Sequence, residues 1–404
     1  MTRINLSTPL FGQPQFRLLF LGRAVSFLGN AVAPVALAFA VLDLTRSKSD
    51  LGLLLAARSL PQVVFILVGG ALADRLPRHH VMVASSIVSG SSQVSIAVLL
   101  LTHHAQLWHL IALSVVNGAS AAFFFPASSG VIPQTVPREL LQQANAVLRL
   151  ALNASSIVGA ALGGIAVAAV GAGWAIAFDG ATFLLGAVFI GAMSVRAAER
   201  EELTTFLAEL RDGWREFRGR TWLWAIVLQF SIVNAAEGGG LNVLGPVVAR
   251  ARLGGPAAWG AVLAAEAAGL LLGGLFALRF RPRRMLLVAT FGILLMPIVL
   301  VALALPAPLA VVLAASFVAG VGIETFGILW DTTMQQEIPQ EKLSRLYAYD
   351  MLGSIMFVPI GLAVAGPLAQ AIGVRETLWA AVACIVAVSL AVLAVPDVRN
   401  LSRR

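Results

Sequence analysis

Apolar residues recur in long runs from Phe16 to Val395, and one polar stretch long enough to matter, 196–220, interrupts the series. A spanning helix needs about 20 apolar residues. Runs of that kind lie near 16–41, 51–73, 81–101, 107–131, 145–170, 174–195, 222–248, 257–278, 285–305, 308–330, 347–370 and 377–395. The pattern predicts an all-α membrane protein with twelve transmembrane helices and no soluble domain. The first run is too long and too polar at its centre for a cleavable signal, and no small-residue cleavage site follows it, so it is read as the first span.

Composition agrees with the pattern: 59% of the 404 residues are hydrophobic and 12% are charged, against about 25% charged in a soluble domain. Cys384 is the single cysteine, which excludes an intramolecular disulfide, a metal–thiolate cluster and dithiol redox chemistry. The five histidines, at 79, 80, 103, 104 and 109, stand at loop ends rather than in a metal-ligand or triad arrangement, so no metal, no cofactor and no enzyme activity are expected. A net charge of +8 raises the question of nucleic acid, but the bases do not share one soluble face, and no nucleic-acid partner is expected. With both termini cytoplasmic, twenty of the 28 Lys and Arg fall on the inside, which sets the orientation. Only Lys48 and Lys342 are lysines, and with the richness in Ala and Gly this is the bias of a GC-rich bacterial genome. The expected location is a bacterial inner membrane.

The chain also repeats itself. At a spacing of 202 residues Gly118 aligns with Gly320, Pro137 with Pro339, Gly159 with Gly361, Gly164 with Gly366 and Gly171 with Gly373. The second and eighth runs match as well, "LGLLLAARS" against "WGAVLAAEA", which sets Arg58 opposite Glu266. Six spans are therefore read as duplicated into six more: a first bundle over 1–195, a linker over 196–221 and a second bundle over 222–404. In the linker Leu203, Phe206, Leu207, Leu210, Trp214 and Phe217 recur at steps of three and four, the pattern of an interfacial amphipathic helix that tethers the bundles.

Between spans two and three stands "GGALADRLPRHH", with Gly70, Asp74, Arg75 and Arg78. In a twelve-span chain of six plus six this resembles the signature loop of the major facilitator superfamily. The resemblance implies that Asp74 faces the N-terminus of span eleven, where free amides and the helix dipole favour a negative charge, and latches the two halves on the inside. Arg75 and Arg78 would hold the loop in register and meet anionic lipid headgroups. Pro77 stands where the family usually has Gly, and Leu278 stands opposite Asp74 in the second half, so the latch is asymmetric. The stretches "FRLLFLGRAVSFLG", "RDGWREF" and "LWDTTMQQEIPQEKLSRLYAYDMLGS" resemble the bacterial branch that includes siderophore exporters and macrolide-type efflux proteins. Span five, with Gly159, Gly163 and Gly164, resembles the helix-packing motif of antiporters, and small residues at this spacing let helices approach closely.

Charges inside the spans carry the functional reading. Glu266, Glu237 and Glu324 lie deep in spans eight, seven and ten, and each costs about 2.5–3.5 kcal/mol at a helix centre. Glu237 is followed by three glycines, where backbone carbonyls can face a cavity. The resemblance implies that spans one, four, seven and ten line that cavity. Arg23 and Arg58 are the candidate partners of substrate or of these acids; the competing reading of every such charge is an ion pair for helix packing alone. Asp179 and Arg149 lie near span ends and are expected to reach water by snorkelling. Ser114 and Asn30 occupy positions where drug–proton antiporters usually carry an arginine and an acid, so coupling must use other residues. No phosphate-binding loop of the G-x-x-x-x-G-K-[ST] kind is present. The expectation is a monomeric secondary transporter that exports an amphipathic small molecule in exchange for protons. Uptake or facilitated diffusion on the same fold is the alternative, and a non-transporting receptor lacks a sensory domain.

Overall fold

The computed structural model describes residues 10–195, 213–277, 282 and 284–401, with side chains at all of these except 66–75, 138, 142, 277, 340, 341, 344, 345 and 400. The described chain is a succession of helices: α1 (Pro14–Thr45), α2 (Lys48–Arg75), α3 (Arg78–Leu101), α4 (Leu107–Val131), α5 (Leu141–Val170), α6 (Ala172–Gly191), α7 (Thr221–Glu237), α8 (Pro256–Ala277), α9 (Met285–Ile293), α10 (Pro297–Ala304), α11 (Leu309–Glu337), α12 (Gln340–Ile355), α13 (Val358–Ala371), α14 (Val374–Leu393) and α15 (Pro396–Asn400). Among the described residues ten stretches are long and apolar enough to cross a membrane. The other two of the expected twelve crossings are α2 and the seventh span. In α2 the side chains of 66–75 lie outside the described residues. The seventh span is broken: α7 ends at Glu237, and Gly238–Leu244 and Ala249–Leu253 are π-helical around a short α-helical turn, Gly245–Val248. Three consecutive glycines offer no side chain to hold the tighter winding, and Pro246 has no amide to donate to the carbonyl of Asn242.

The chain divides into two compact units, Met1–Leu44 with Ala57–Glu201, and Thr45–Ala56 with Glu202–Arg404. The first turns of α2 thus group with the second unit, where Gly52 abuts the carbonyl of Leu362 and Gly366 abuts the backbone of Ser49.

Each unit is drawn together at the glycines that repeat in the sequence. In the first, a Cβ on Gly118 of α4 would collide with the carbonyl oxygen of Arg58 on α2. In the second, a Cβ on Gly320 of α11 would collide with the carbonyl oxygen of Glu266 on α8. Gly159 of α5 meets the Leu28 carbonyl and Ala31 of α1, while Gly361 of α13 meets the Ala235 carbonyl of α7. Gly163 packs on Val32, and Gly164 is buried. Gly171 and Gly373 have φ of 86° and 104°, so α5 turns into α6, and α13 towards α14, through a left-handed residue that L side chains rarely adopt.

The outward faces are apolar: Val188 is 67% exposed and Ile360 58%, as expected where lipid rather than water covers the surface. Trp108 and Trp174, in the first turns of α4 and α6, are 62% and 60% exposed, where indole rings sit at a bilayer interface. At the cytoplasmic end expected for the first unit, Leu10, Phe16, Leu19, Met82, Val131 and Leu148 form a buried cluster.

Of the amphipathic linker, Leu203, Phe206, Leu207 and Leu210 lie outside the described residues. Its last turns are helical, and Trp214 and Phe217 pack on each other and on Tyr349 of α12, with centroid separations of 5.7–5.8 Å. Glu216 accepts from Lys342 at 2.5 Å and from Arg220 at 3.2 Å. The Lys342 ammonium, with help from Arg220, holds the Glu216 carboxyl below its ordinary range. This contact contributes above the ordinary carboxylate range and fades as pH falls through the depressed value; a half-exposed pair of this kind contributes about 1 kcal/mol or less.

The glycine seams carry a sharper expectation. Gly320→Val should destabilise the purified protein by about 1–3 kcal/mol or prevent its folding, because the colliding atom is backbone and cannot yield. Gly327→Ala, which meets nothing within 4 Å, should be neutral. Thermal unfolding in detergent of both variants checks this; equal melting would show that the seam is loose.

Candidate functional site

Three of the sequence-selected acids fall on neighbouring helices of the second unit. Glu237 ends α7 and sits against the π-helical stretch, Glu266 is on α8, and each is half-buried. Glu266 lies within electrostatic reach of Glu237, so two like charges share one low-dielectric region. Glu324, on α11, lies two turns along the same seam: its Cβ is 3.1 Å from where a Cβ on Gly273 would be, and its Oε1 is 3.7 Å from the corresponding point on Gly274. The glycines of α8 are therefore what makes room for the Glu324 side chain.

Aromatic rings pack α7 against α11. Phe230 of α7 stacks on Phe326 of α11 at 4.2 Å, and Trp330 lies 5.7 Å from Trp222 and 6.1 Å from Phe326. Asn234 donates to the Ser354 carbonyl at 3.0 Å, tying α7 to α12 just before the break. Beside the break an apolar cavity of about 490 Å³ opens between α7, α13 and α14, with Gly239, Gly240, Gly361, Phe357 and Cys384 among its lining residues. It opens onto the lipid-facing surface, with the outward-facing Ile360 and Val364 also in its lining.

In the first unit the half-buried Arg23 lies with its guanidinium 5.0 Å from the Phe27 ring centroid, and its Nε and Nη1 have no hydrogen-bond partner among the described residues. Arg58 donates from Nη2 to Asn30 Oδ1 at 3.4 Å. The expectation that Asp179 reaches water is overturned: it has no exposed surface, and Gln93 of α3 donates to its Oδ2 at 2.5 Å. A short carboxylate side chain has no stem with which to snorkel, and α3 covers it.

The side chains of Gly70, Asp74 and Arg75 lie outside the described residues. Arg78 is described, and its Nη1 donates to the Gly130 carbonyl, pinning the start of α3 to the end of α4.

Two further acids were passed over in the sequence. Asp350 of α12 accepts from Trp330 Nε1 at 3.0 Å and from Ser354 Oγ at 3.4 Å, and Asp331 of α11 accepts from the Tyr347 hydroxyl at 3.2 Å. No local signal marks these pairs, because the aromatic donors stand 20 and 16 residues from the acids they serve. Among the described residues no group of three or more His, Cys, Asp or Glu could hold a metal.

The Major Facilitator Superfamily model matches residues 19–358. The multidrug efflux pump Tap of Mycolicibacterium fortuitum is 27% identical over 388 residues, covering 92% of this chain and 93% of its own. The enterobactin exporter EntS of Salmonella typhimurium is 28% identical over 372 residues, covering 90% of this chain and 88% of its own. Among solved structures, the nucleoside transporter NupG has a TM-score of 0.74 at 12% identity, covering 94% of this chain and 98% of that one, a likeness of fold.

If Glu237 and Glu266 share one region, neutralising either relieves the same repulsion. Glu237→Gln and Glu266→Gln should each raise thermal stability in alkaline buffer, and the double variant should fall short of their sum by about 0.5–3 kcal/mol. Strict additivity would show that the two acids are independent.

Proposed function

The chain belongs to the Major Facilitator Superfamily and is a multi-pass membrane transporter of a small molecule, and from that premise we propose that it exports an amphipathic compound across the bacterial inner membrane in exchange for protons. The observation that carries this reading is that Glu237 and Glu266, each half-buried inside the second unit, lie within electrostatic reach of one another. Two carboxylates within electrostatic reach at membrane depth repel each other; a bound proton removes the repulsion and its loss restores it. Such a pair is a means of linking a conformational cycle to protons, and a structural ion pair would instead need a base between them.

Export is supported by the similarity to Tap and EntS, which are described as an efflux pump and an exporter. In this reading the bundles 1–195 and 222–404 alternate access as a monomer with both termini cytoplasmic, joined by the linker 196–221. Gly70, Asp74, Arg75 and Arg78 latch the inner side, while Gly159, Gly163 and Gly164 keep α5 close to α1. Arg23, Arg58 and Glu324 are further intramembrane charges placed to act on substrate or proton.

The test is accumulation of a panel of fluorescent dyes, antibiotics and siderophores in efflux-deficient bacteria that express the chain, with and without a protonophore. Lower accumulation of at least one compound, abolished by the protonophore, is expected. Higher accumulation on expression would establish uptake instead, and lower accumulation that the protonophore leaves untouched would remove the proton from the scheme.

A further inference from the structure

The first unit holds a buried polar group that the scheme above leaves unused. Asp179 is the only charged residue of α6. Gln93 occupies its Oδ2, while Oδ1 has no hydrogen-bond partner among the described residues. The elements around it bring one charge to bear. Between His80 and Leu101, α3 has no charged residue; α4 has no Asp, Glu, Lys or Arg; and the single charged residue of α5, Arg149, is exposed. From α1 comes Gly29, whose missing Cβ admits the Asp179 backbone and Thr182, with Arg23 and Asp43 about two and four turns away along that helix. The charge that reaches Asp179 is Arg58 of α2.

Arg58 and Asp179 are nevertheless not in contact. The guanidinium's hydrogen bond goes to Asn30, and the carboxylate's goes to a neutral amide. A pair built for packing alone would close into direct contact, since desolvation of both charges is offset only by good geometry. Here the two stay apart, one carboxylate oxygen stays open, and the nearby face of α4 adds two more buried groups without partners, Ser114 Oγ and Asn117 Nδ2. Asn117 adjoins Gly118, the residue against which the Arg58 carbonyl is packed.

We infer that Asp179 is a proton-binding site of the transport cycle, with Arg58 as the charge that answers it. In one state the carboxylate is charged and balanced across the gap by Arg58. In the other, Oδ1 takes a proton from the aqueous side then open, the carboxyl is neutral, and Arg58 is left to Asn30 and α4. The same O–H bond breaks when the proton leaves, and no other atom or electron moves. Arg58 stands two residues beyond the stretch of α2 that groups with the second unit, so the charge that responds is carried on a helix shared by both units. This inference rests on the reading of the chain as a proton-exchanging transporter and adds an acid of the first unit to those of the second.

The experiment is infrared difference spectroscopy of the full-length protein in lipid nanodiscs, between alkaline and acid buffer, reading the carbonyl band of protonated carboxyl groups. Asp179→Asn should remove one component of that band, and Arg58→Gln should move the pH at which the component appears. Spectra of Asp179→Asn identical to the parent would overturn the inference. If that variant does not fold, an unmoved component in Arg58→Gln overturns it alone. In cells, Asp179→Asn should lose the protonophore-sensitive part of export; export at the parental level would likewise sink it. The spectra need no substrate, so a parent chain that shows the Asp179 component but no proton-linked flux would fail the exchange reading and not the site.

Discussion

A full charge inside the hydrocarbon core costs about 2.5–3.5 kcal/mol at a helix centre even when the surroundings adapt, and that constraint shapes both units. Each carries its deepest charges on helices that meet a neighbour at a glycine. The carbonyl of Arg58 packs on Gly118, and the carbonyl of Glu266 packs on Gly320, so the charged residue itself stands where the two backbones are closest. A side chain placed at such a point cannot drift toward water. Its charge must be balanced, shared or removed where it is, and a change in its charge acts on the seam that holds the unit together.

The two units solve this in opposite ways. The second gathers acids, with Glu237 and Glu266 in mutual reach and Glu324 further along the same helix pair. The first carries bases, Arg23 over the Phe27 ring and Arg58 in electrostatic reach of the buried carboxylate of Asp179. The break in the seventh span fits this picture. A π-helical stretch leaves backbone groups less tightly paired than an α-helix does, which membrane proteins tolerate where the backbone is covered by protein or lines a cavity. Here it is enclosed on one side by α13, where Gly239 meets Gly361, and Gly239 and Gly240 border an apolar cavity.

Much of this was legible in the sequence because its causes are local. Long apolar runs mark spans, and the 202-residue repeat is written in glycines, most of which answer to a contact or a dihedral angle that a side chain would forbid. Gly171 and Gly373 share a positive φ, and Gly118 and Gly320 share a carbonyl neighbour. What escaped depends on partners distant in the chain. Asp179 reads as a residue near a span end until Gln93, 86 residues earlier, is seen to cover it. Asp331 and Asp350 draw no attention in the sequence, and their aromatic donors, Tyr347 and Trp330, stand 16 and 20 residues away. The glycine run after Glu237 advertised an irregular backbone, but not that the helix would widen and continue instead of ending.

The central claim is that substrate and protons move in opposite directions through the same cycle. Its most direct test is to place the purified protein in liposomes containing a pH-sensitive dye and to impose a gradient of an identified substrate with no other driving force. The account predicts that substrate leaving the vesicles carries protons inward and acidifies the lumen, and that Glu266→Gln uncouples the two. Substrate movement with an unchanged internal pH would contradict it.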